Sequence, residues 1–312
     1  MHKTSTITIL VALLFVCFVP VVSSQTGETV TVHFIDVGQG DSIFIDTSNM
    51  DVLIDGGSAT ATQTVLDYLT TLSITHIHLV IATHPHEDHI GGLVGILNST
   101  LAIDTVLTNN QTHTSQTYHK FNTTAHQHTV NVAQRGQTIQ LSQTANITIL
   151  NPVQPLEFGD LNDNSVVTKL QAGNTTFLFM GDAEEPAETS ILTYTTNLKA
   201  DVLKVGHHGS NTATCQAFLD TVDPTYAVIL AGEDNSYGHP HEETLQKLTT
   251  KGVETYCTIN SSNIIAQTDG TTITFPSNPT PIPENLTTTT ILIIATITTI
   301  TIYKTQNKKR YT

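Results

Sequence analysis

Residues 77–97 read IHLVIATHPHEDHIGGLVGIL. The apolar run from Ile77 to Ala82 has the length and β-branched content of a strand buried on both faces. It ends directly on Thr83-His84-Pro85-His86-Glu87-Asp88-His89, and Ile90 to Leu97 continues as a helix. A strand end, a tight loop and a helix start form a rigid base for projecting side chains. Four metal-binding groups, His84, His86, Asp88 and His89, fall within six positions there. Imidazole and carboxylate suit zinc, manganese or iron, and two ligand pairs can hold two adjacent ions. Gly91-Gly92 lets another segment approach the helix start closely.

Upstream, Val30 to Ile35, Ser42 to Asp46 and Asp51 to Ile54 alternate apolar and polar residues, broken by Gly38-Gln39-Gly40 and Ser48-Asn49. They read as antiparallel strands, with Asp55-Gly56-Gly57 as a closing turn. Gln63 to Leu72 has the helical spacing of Val65, Tyr68, Leu69 and Leu72. Downstream, residues 108–136 read as a polar, irregular insertion over the site, whose His113, His119, His126 and His128 match no ligand spacing. Strands follow at Thr138 to Leu150, Val166 to Gln171 and Thr175 to Met180, and helices alternate with strands after Asp182. The pattern specifies an α/β or α+β chain, with helices outside and two sheets inside.

With 38% hydrophobic residues the chain has ample material for a core. Its 12 Lys and Arg against 27 Asp and Glu give a net charge of −15. Tight binding of long nucleic acid depends on neutralising phosphates with Lys and Arg, so a structural nucleic-acid binder is disfavoured. A nuclease that meets the scissile phosphate through metal ions is not. Cys17, Cys215 and Cys257 are too few for a four-cysteine zinc site, and Cys215 with Cys257 leaves one disulfide open.

The ends carry targeting signals. Residues 1–24 have the positive start, apolar run and small residues of a signal peptide. A globular domain follows over 25–276, then a Pro-rich linker over 277–285. Residues 286–303 are uncharged and precede the basic tail 304–312, the pattern of a membrane anchor with its tail inside. Seven Asn-X-Ser/Thr sequons, from Asn98 to Asn285, fit a protein at the outer face of the cell membrane or secreted.

His84-X-His86-X-Asp88-His89 resembles the signature of the metallo-β-lactamase superfamily. Four further motifs occur in order: Asp36-Val37-Gly38-Gln39-Gly40-Asp41-Ser42, Leu53-Ile54-Asp55-Gly56-Gly57, Met180-Gly181-Asp182, and residues 203–210 with His207-His208-Gly209-Ser210. Together they resemble the extracellular hydrolase domain of ComEC-type competence proteins, which take up DNA, over about residues 30–275. The resemblance implies a four-layer αββα sandwich. It implies that His84 and His86 hold one metal and that Asp88, His89 and His207 hold a second, with Asp182 bridging. The cofactor would be one or two Zn2+ ions, with Mn2+ as the alternative. Most superfamily members place a third His of the first site where this chain has Asn162-Asp163-Asn164-Ser165. Asp163 or Asn164 would then ligate through oxygen, or the site would be completed by water.

Asp41, Asp55, Asn164 and Ser210 are expected to support ligands or touch substrate. Asp88, His208 and His239 are expected in catalysis, the two histidines as substrate contacts or proton donors on late loops. The implied reaction is hydrolysis by metal-bound hydroxide, foremost of phosphodiesters, with nucleic acid as substrate only. Lactones, lactams or small phosphoesters are the alternative substrates, and a non-catalytic surface-binding protein on the same fold is the alternative class. No protein partner is indicated; the membrane is reached only through the C-terminal segment.

Overall fold

A computed structural model describes residues 28–195 and 197–283. The alternating segments form strands β1 (Val30–Phe34), β2 (Ile43–Asp46) and β3 (Val52–Ile54), paired antiparallel. Their period of two is used on both faces. Val32, Phe34, Ile43, Ile45, Val52 and Ile54 point towards the second sheet, while Phe44 and Leu53 point towards helices. After helix α1 (Thr62–Thr71), strand β4 (His76–Ala82) joins β3 in parallel. Helix α2 (Glu87–Leu97) returns the chain to β5 (Ala102–Thr108), again parallel.

Residues 108–136 depart from the expected irregular insertion. They contain helix α3 (Gln116–Ala125) and strand β6 (Thr129–Val132), which extends the sheet beside β5. Ser115 caps α3 by accepting the Tyr118 amide, and Tyr118, Phe121 and Ala125 turn towards α2 and the sheet. This apolar stripe is only three residues wide in a run of Thr, Asn and His, too thin to register as periodicity.

The second sheet begins with β7 (Thr138–Gln140) and β8 (Ala145–Asn151), a hairpin that divides the single strand expected over 138–150. It continues through β9 (Val167–Ala172) and β10 (Thr175–Phe179). Helices α4 (Glu185–Tyr194), α5 (Gln216–Val222) and α6 (Glu242–Lys251) then alternate with parallel strands β11 (Val202–Lys204), β12 (Tyr226–Ile229) and β13 (Glu254–Cys257). The chain returns through β14 (Ile264–Thr268) and β15 (Ile273–Thr274) to the first sheet, where β14 pairs with β1. The strand orders are β15-β14-β1-β2-β3-β4-β5-β6 and β13-β12-β11-β10-β9-β8-β7.

Three apolar layers hold this together. One fills the space between the sheets, with Phe34 facing Phe179 at 6.2 Å between ring centroids. The second binds α4, α5 and α6 to their sheet, and the third binds α1, α2 and α3 to the other. The result is the four-layer αββα sandwich. Each fully buried Phe, Leu or Ile adds about 1.5–3 kcal/mol of burial energy.

Part of the expected linker is docked: the Ile282 amide donates to the Thr255 carbonyl at 2.7 Å, and Pro281 bridges to Tyr256 beside β13. The signal-peptide, anchor and tail segments, 1–24, 286–303 and 304–312, lie outside the described residues. Among the described residues, no helix is long and apolar enough to cross a membrane. The Cys215 and Cys257 thiols are free.

The close approach expected at Gly91-Gly92 is tightest at Gly92. Its amide donates to the Gly57 carbonyl at 2.8 Å, and a Cβ there would lie 1.9 Å from the Gly56 carbonyl oxygen. Both neighbours are backbone and cannot yield. Gly92→Ala is therefore expected to lower unfolding free energy by about 2–3 kcal/mol or more, read from the urea midpoint; an unshifted midpoint would contradict this packing.

Candidate metal centre

The parallel strands of both sheets present their carboxyl ends at one edge of the sandwich, where loops from different strands converge. His84 and His86 leave the end of β4. Asp88 and His89 occupy the first turn of α2, Asp182 follows β10, and His207 and His208 follow β11. His84 Nε2 lies 2.9 Å from His86 Nδ1 and 3.7 Å from Asp182 Oδ2. His89 Nε2 is 3.2 Å from the same Asp182 oxygen, and His208 Nε2 is 3.4 Å from both Asp88 Oδ2 and Asp182 Oδ1.

Two groups of ligand atoms, each gathered within 4.8 Å, result: His84, His89 and Asp182, and Asp88, His89 and His208. The buried atoms His89 Nε2, His208 Nε2 and Asp182 Oδ1 have no hydrogen-bond partner. Buried polar atoms are almost always bonded, so three such orphans converging on one point fit a bound cation. The donor set, imidazole nitrogen with carboxylate oxygen, fits a divalent transition ion.

The electrostatics agree. Burial favours neutral His84 and lowers its pKa well below the usual histidine range. Burial also opposes charge on His89 and His208, but Asp182 and the neighbouring carboxylates outweigh it and raise both well above that range. The buried carboxylates thus create a field that favours positive charge on the edge of the sheets.

Behind the ligands, Asp55 accepts hydrogen bonds from the Thr83 amide at 2.8 Å and the Thr83 hydroxyl at 2.6 Å, and sits 2.8 Å from His89 Nδ1. The last contact fixes the His89 ring with Nε2 directed inward. Asp41 is buried in an ion pair with Lys204, whose ammonium also donates to the Gly181 carbonyl at 2.9 Å, and lies 3.3 Å from His208 Nδ1. Lys204 thereby ties the loop of Asp41 to the turn that carries Asp182.

The two adjacent histidines exchange expected places. His208, rather than His207, joins Asp88 and His89; its Nδ1 lies 2.9 Å from the Leu230 carbonyl. His207 stands on the wall of the cleft, with Nδ1 2.7 Å from Glu184 Oε1 and Nε2 3.7 Å from Asp182. Both residues adopt left-handed backbone angles, φ 46° and 54°. That local conformation decides which ring points inward, and no spacing rule reveals it.

The third-ligand position also differs. Asp163 turns its carboxylate to the Glu184 and Ala187 amides at the start of α4. The Asn164 side chain is occupied by Phe158 and Asp160. Neither reaches the metal groups, because each is drawn into local backbone bonding. Asn162 lines the cleft instead, and its buried Oδ1 has no partner. Ser210, His239, His241 and Tyr237 complete the far wall, with the Tyr237 and His239 rings stacked at 5.6 Å.

Glu184 and Lys204 were not identified from the sequence as parts of the site; Asn162 and His113, which also lines the cleft, were noted there only within the run 162–165 and the insertion over the site. Only Lys204 carried a signal, a lone charge within the apolar run Val202 to Val205. The cleft encloses about 1070 Å³ and opens to solvent.

This sandwich, with a His and Asp cluster at the carboxyl ends of its strands, defines a class of metal-site proteins. Residues 35–233 match the model of the metallo-beta-lactamase superfamily, and the chain belongs to that superfamily. It is 29% identical over 271 residues to ComE operon protein 3 of Bacillus subtilis (strain 168), covering 80% of this chain and 34% of that protein. It is 30% identical over 242 residues to competence protein ComA of Neisseria gonorrhoeae, covering 77% and 32%. The chain thus spans about a third of these relatives, and the likeness to competence proteins read from its motifs holds. The metallo-β-lactamase-fold protein YhfI from Bacillus subtilis aligns with TM-score 0.50 at 14% identity, covering 77% of this chain and 100% of that one. Igni18, a metallo hydrolase from Ignicoccus hospitalis, gives 0.50 at 15%, covering 75% and 98%. At these identities the two structures speak for the fold alone.

Two substitutions test the centre. Asp55→Asn, which keeps the size of the group that orients His89, is expected to weaken zinc binding by roughly 10- to 100-fold. Asp88→Ala, lying in only one ligand group, is expected to lower the number of bound ions without removing all zinc. Metal content by mass spectrometry, with chelator competition for affinity, checks both. Full zinc content and affinity in both variants would refute the assignment.

Proposed function

We propose that the protein is a metal-dependent hydrolase of phosphodiesters. The observation that carries this reading is the set of orphaned buried nitrogen and oxygen atoms converging at the floor of an open cleft. His84, His86, Asp88, His89, Asp182 and His208 would hold one or two zinc or manganese ions. Divalent ions bound there would lower the pKa of a water and polarise the attacked phosphoryl oxygen. The likeness to competence proteins supports a diester derived from nucleic acid. Residues 1–24 and 286–303 support a location outside the cell, anchored in its membrane.

The protein's own groups then divide the work. Asp55 and Asp41 orient His89 and His208 from behind. His207, braced by Glu184, presents Nε2 to the cleft and donates a proton to the departing oxygen. That hydrogen bond, with smaller help from Thr212, holds the Glu184 carboxyl below its usual range against the effect of burial. An ionised Glu184 holds the His207 ring through Nδ1 and leaves Nε2 facing the cleft. His239 differs: burial first, then the neighbouring His207 and His208, lower its pKa to about 4. It stays neutral and serves as a hydrogen-bonding contact. Asn162, which also lines the cleft, offers its free oxygen to substrate.

The full-length protein, stripped of metal and resupplied with zinc or manganese, is expected to hydrolyse bis(p-nitrophenyl) phosphate, and His86→Ala is expected to abolish that turnover. Turnover that persists in His86→Ala, or that needs no metal, would remove this mechanism. Failure with metals bound would turn the search to lactones and lactams, and failure to bind metal would favour a non-catalytic surface protein. His207 has its own signature. On a dinucleotide, whose alkoxide leaving group needs a proton, His207→Ala should lower kcat by about 10²–10⁴-fold. On the nitrophenyl ester, whose leaving group is already stable as an anion, the loss should be far smaller; equal losses would contradict a proton-donor role.

A further inference from the structure

A second cavity of about 330 Å³ lies beside the cleft, beneath α3. Pro85 forms part of both walls. The loop that follows β5 runs between them, giving Asn109, Asn110 and Gln111 to the cavity and His113 and Ser115 to the cleft. The cavity also takes the rings of Tyr118 and Phe121 and the amide of Asn122. Asn109 and Gln111 are held rigidly: Asn109 Nδ2 donates to the Asn164 carbonyl at 3.0 Å, and Gln111 Nε2 to the Asp160 carbonyl at 3.3 Å. Asn110 and Asn122 stand exposed at the rim.

We infer that this cavity is a nucleobase subsite, which receives the base of a nucleotide whose phosphate lies over the metal centre. The inference rests on the phosphodiester reading and adds what the substrate must carry. Neither Lys nor Arg lines the cleft. Lys204 is held inside by Asp41, Lys247 by the carbonyls of Ala213 and Thr214, and Lys251 by Asp220 and Asp223. Among the described residues the cleft therefore offers no basic track along which to hold a polyphosphate backbone. Beyond the scissile phosphate at the metal centre, affinity for a nucleic-acid strand then draws on neutral contacts with the bases, that is, on aromatic faces and amide edges. The half-buried Tyr118, with the amides of Asn110 and Asn122 at the rim and the edge of Phe121 at the base, gives the side cavity that chemistry next to the metal centre. A substrate held this way is engaged through one base beside the scissile bond, which favours a strand end or a short oligonucleotide over duplex.

The test compares two esters with the same leaving group on the metal-loaded full-length protein: thymidine 5′-(p-nitrophenyl phosphate), which carries a base, and methyl p-nitrophenyl phosphate, which does not. The expected wild-type kcat/KM favours the nucleotide ester by about 10- to 100-fold, the value of one stacked base. Tyr118→Ala, which removes a stacking face, and Asn122→Trp, which narrows the mouth from an exposed position, should each bring that ratio towards one. A wild-type ratio near one, or a ratio unchanged in both variants, overturns the subsite. If neither ester is cleaved, the phosphodiesterase reading fails by itself. Thymidine binding, followed by NMR saturation transfer, then decides the cavity: loss of the signal in Asn122→Trp sustains it, and an undiminished signal overturns it.

Discussion

Asp55 is a carboxylate with no access to water, placed at the end of β3 in a left-handed turn, φ 56°. Desolvation alone disfavours its charge, and burial raises its pKa despite His89 and Thr83. Three partners compensate at this one point: the Thr83 amide, the Thr83 hydroxyl and His89 Nδ1. They come from the end of β4 and the first turn of α2, the two elements that carry His84, His86, Asp88 and His89. Asp55 thus pins both ends of the loop between β4 and α2 and sets the direction of the His89 ring.

The two sheets contribute unequally and in complement. The first supplies a contiguous loop of candidate ligands, braced from behind by Asp55. The second supplies ligands from separate strand ends, joined by Lys204 through Asp41 on one side and Gly181 on the other. A fully buried lysine is costly to place unless paired. Here it joins loops more than a hundred residues apart, and truncating it would leave Asp41 buried and charged without its partner.

The sequence was most legible where function and geometry are both local. The strand from Ile77 to Ala82 and the His and Asp run after it are contiguous, so their spacing alone pointed to the strand, the loop and the helix start. The first three strands were equally plain from their alternation. Legibility fell wherever the deciding fact was a backbone angle or a contact between distant segments. His207 and His208 differ only in which ring the left-handed turn sends inward. Asn162, Asp163 and Asn164 all offer oxygen, and only the fold shows that the last two are bound by α4 and by the loop from Phe158 to Asp160. Helix α3 was hidden because Thr and Asn fill the positions that usually announce a helix.

The division of ligands between the sheets gives the centre a second property. His84 and His89 belong to one half of the sandwich, Asp182 and His208 to the other. An ion shared among them would be a cross-link as well as a reagent, present only when both halves are in their final places. Any ligand that binds the folded state alone stabilises it in proportion to the logarithm of its free concentration over its Kd. The protein's resistance to unfolding would thus rise and fall with the metal supply around it, and a chain reaching a metal-poor environment would be looser before it was inactive.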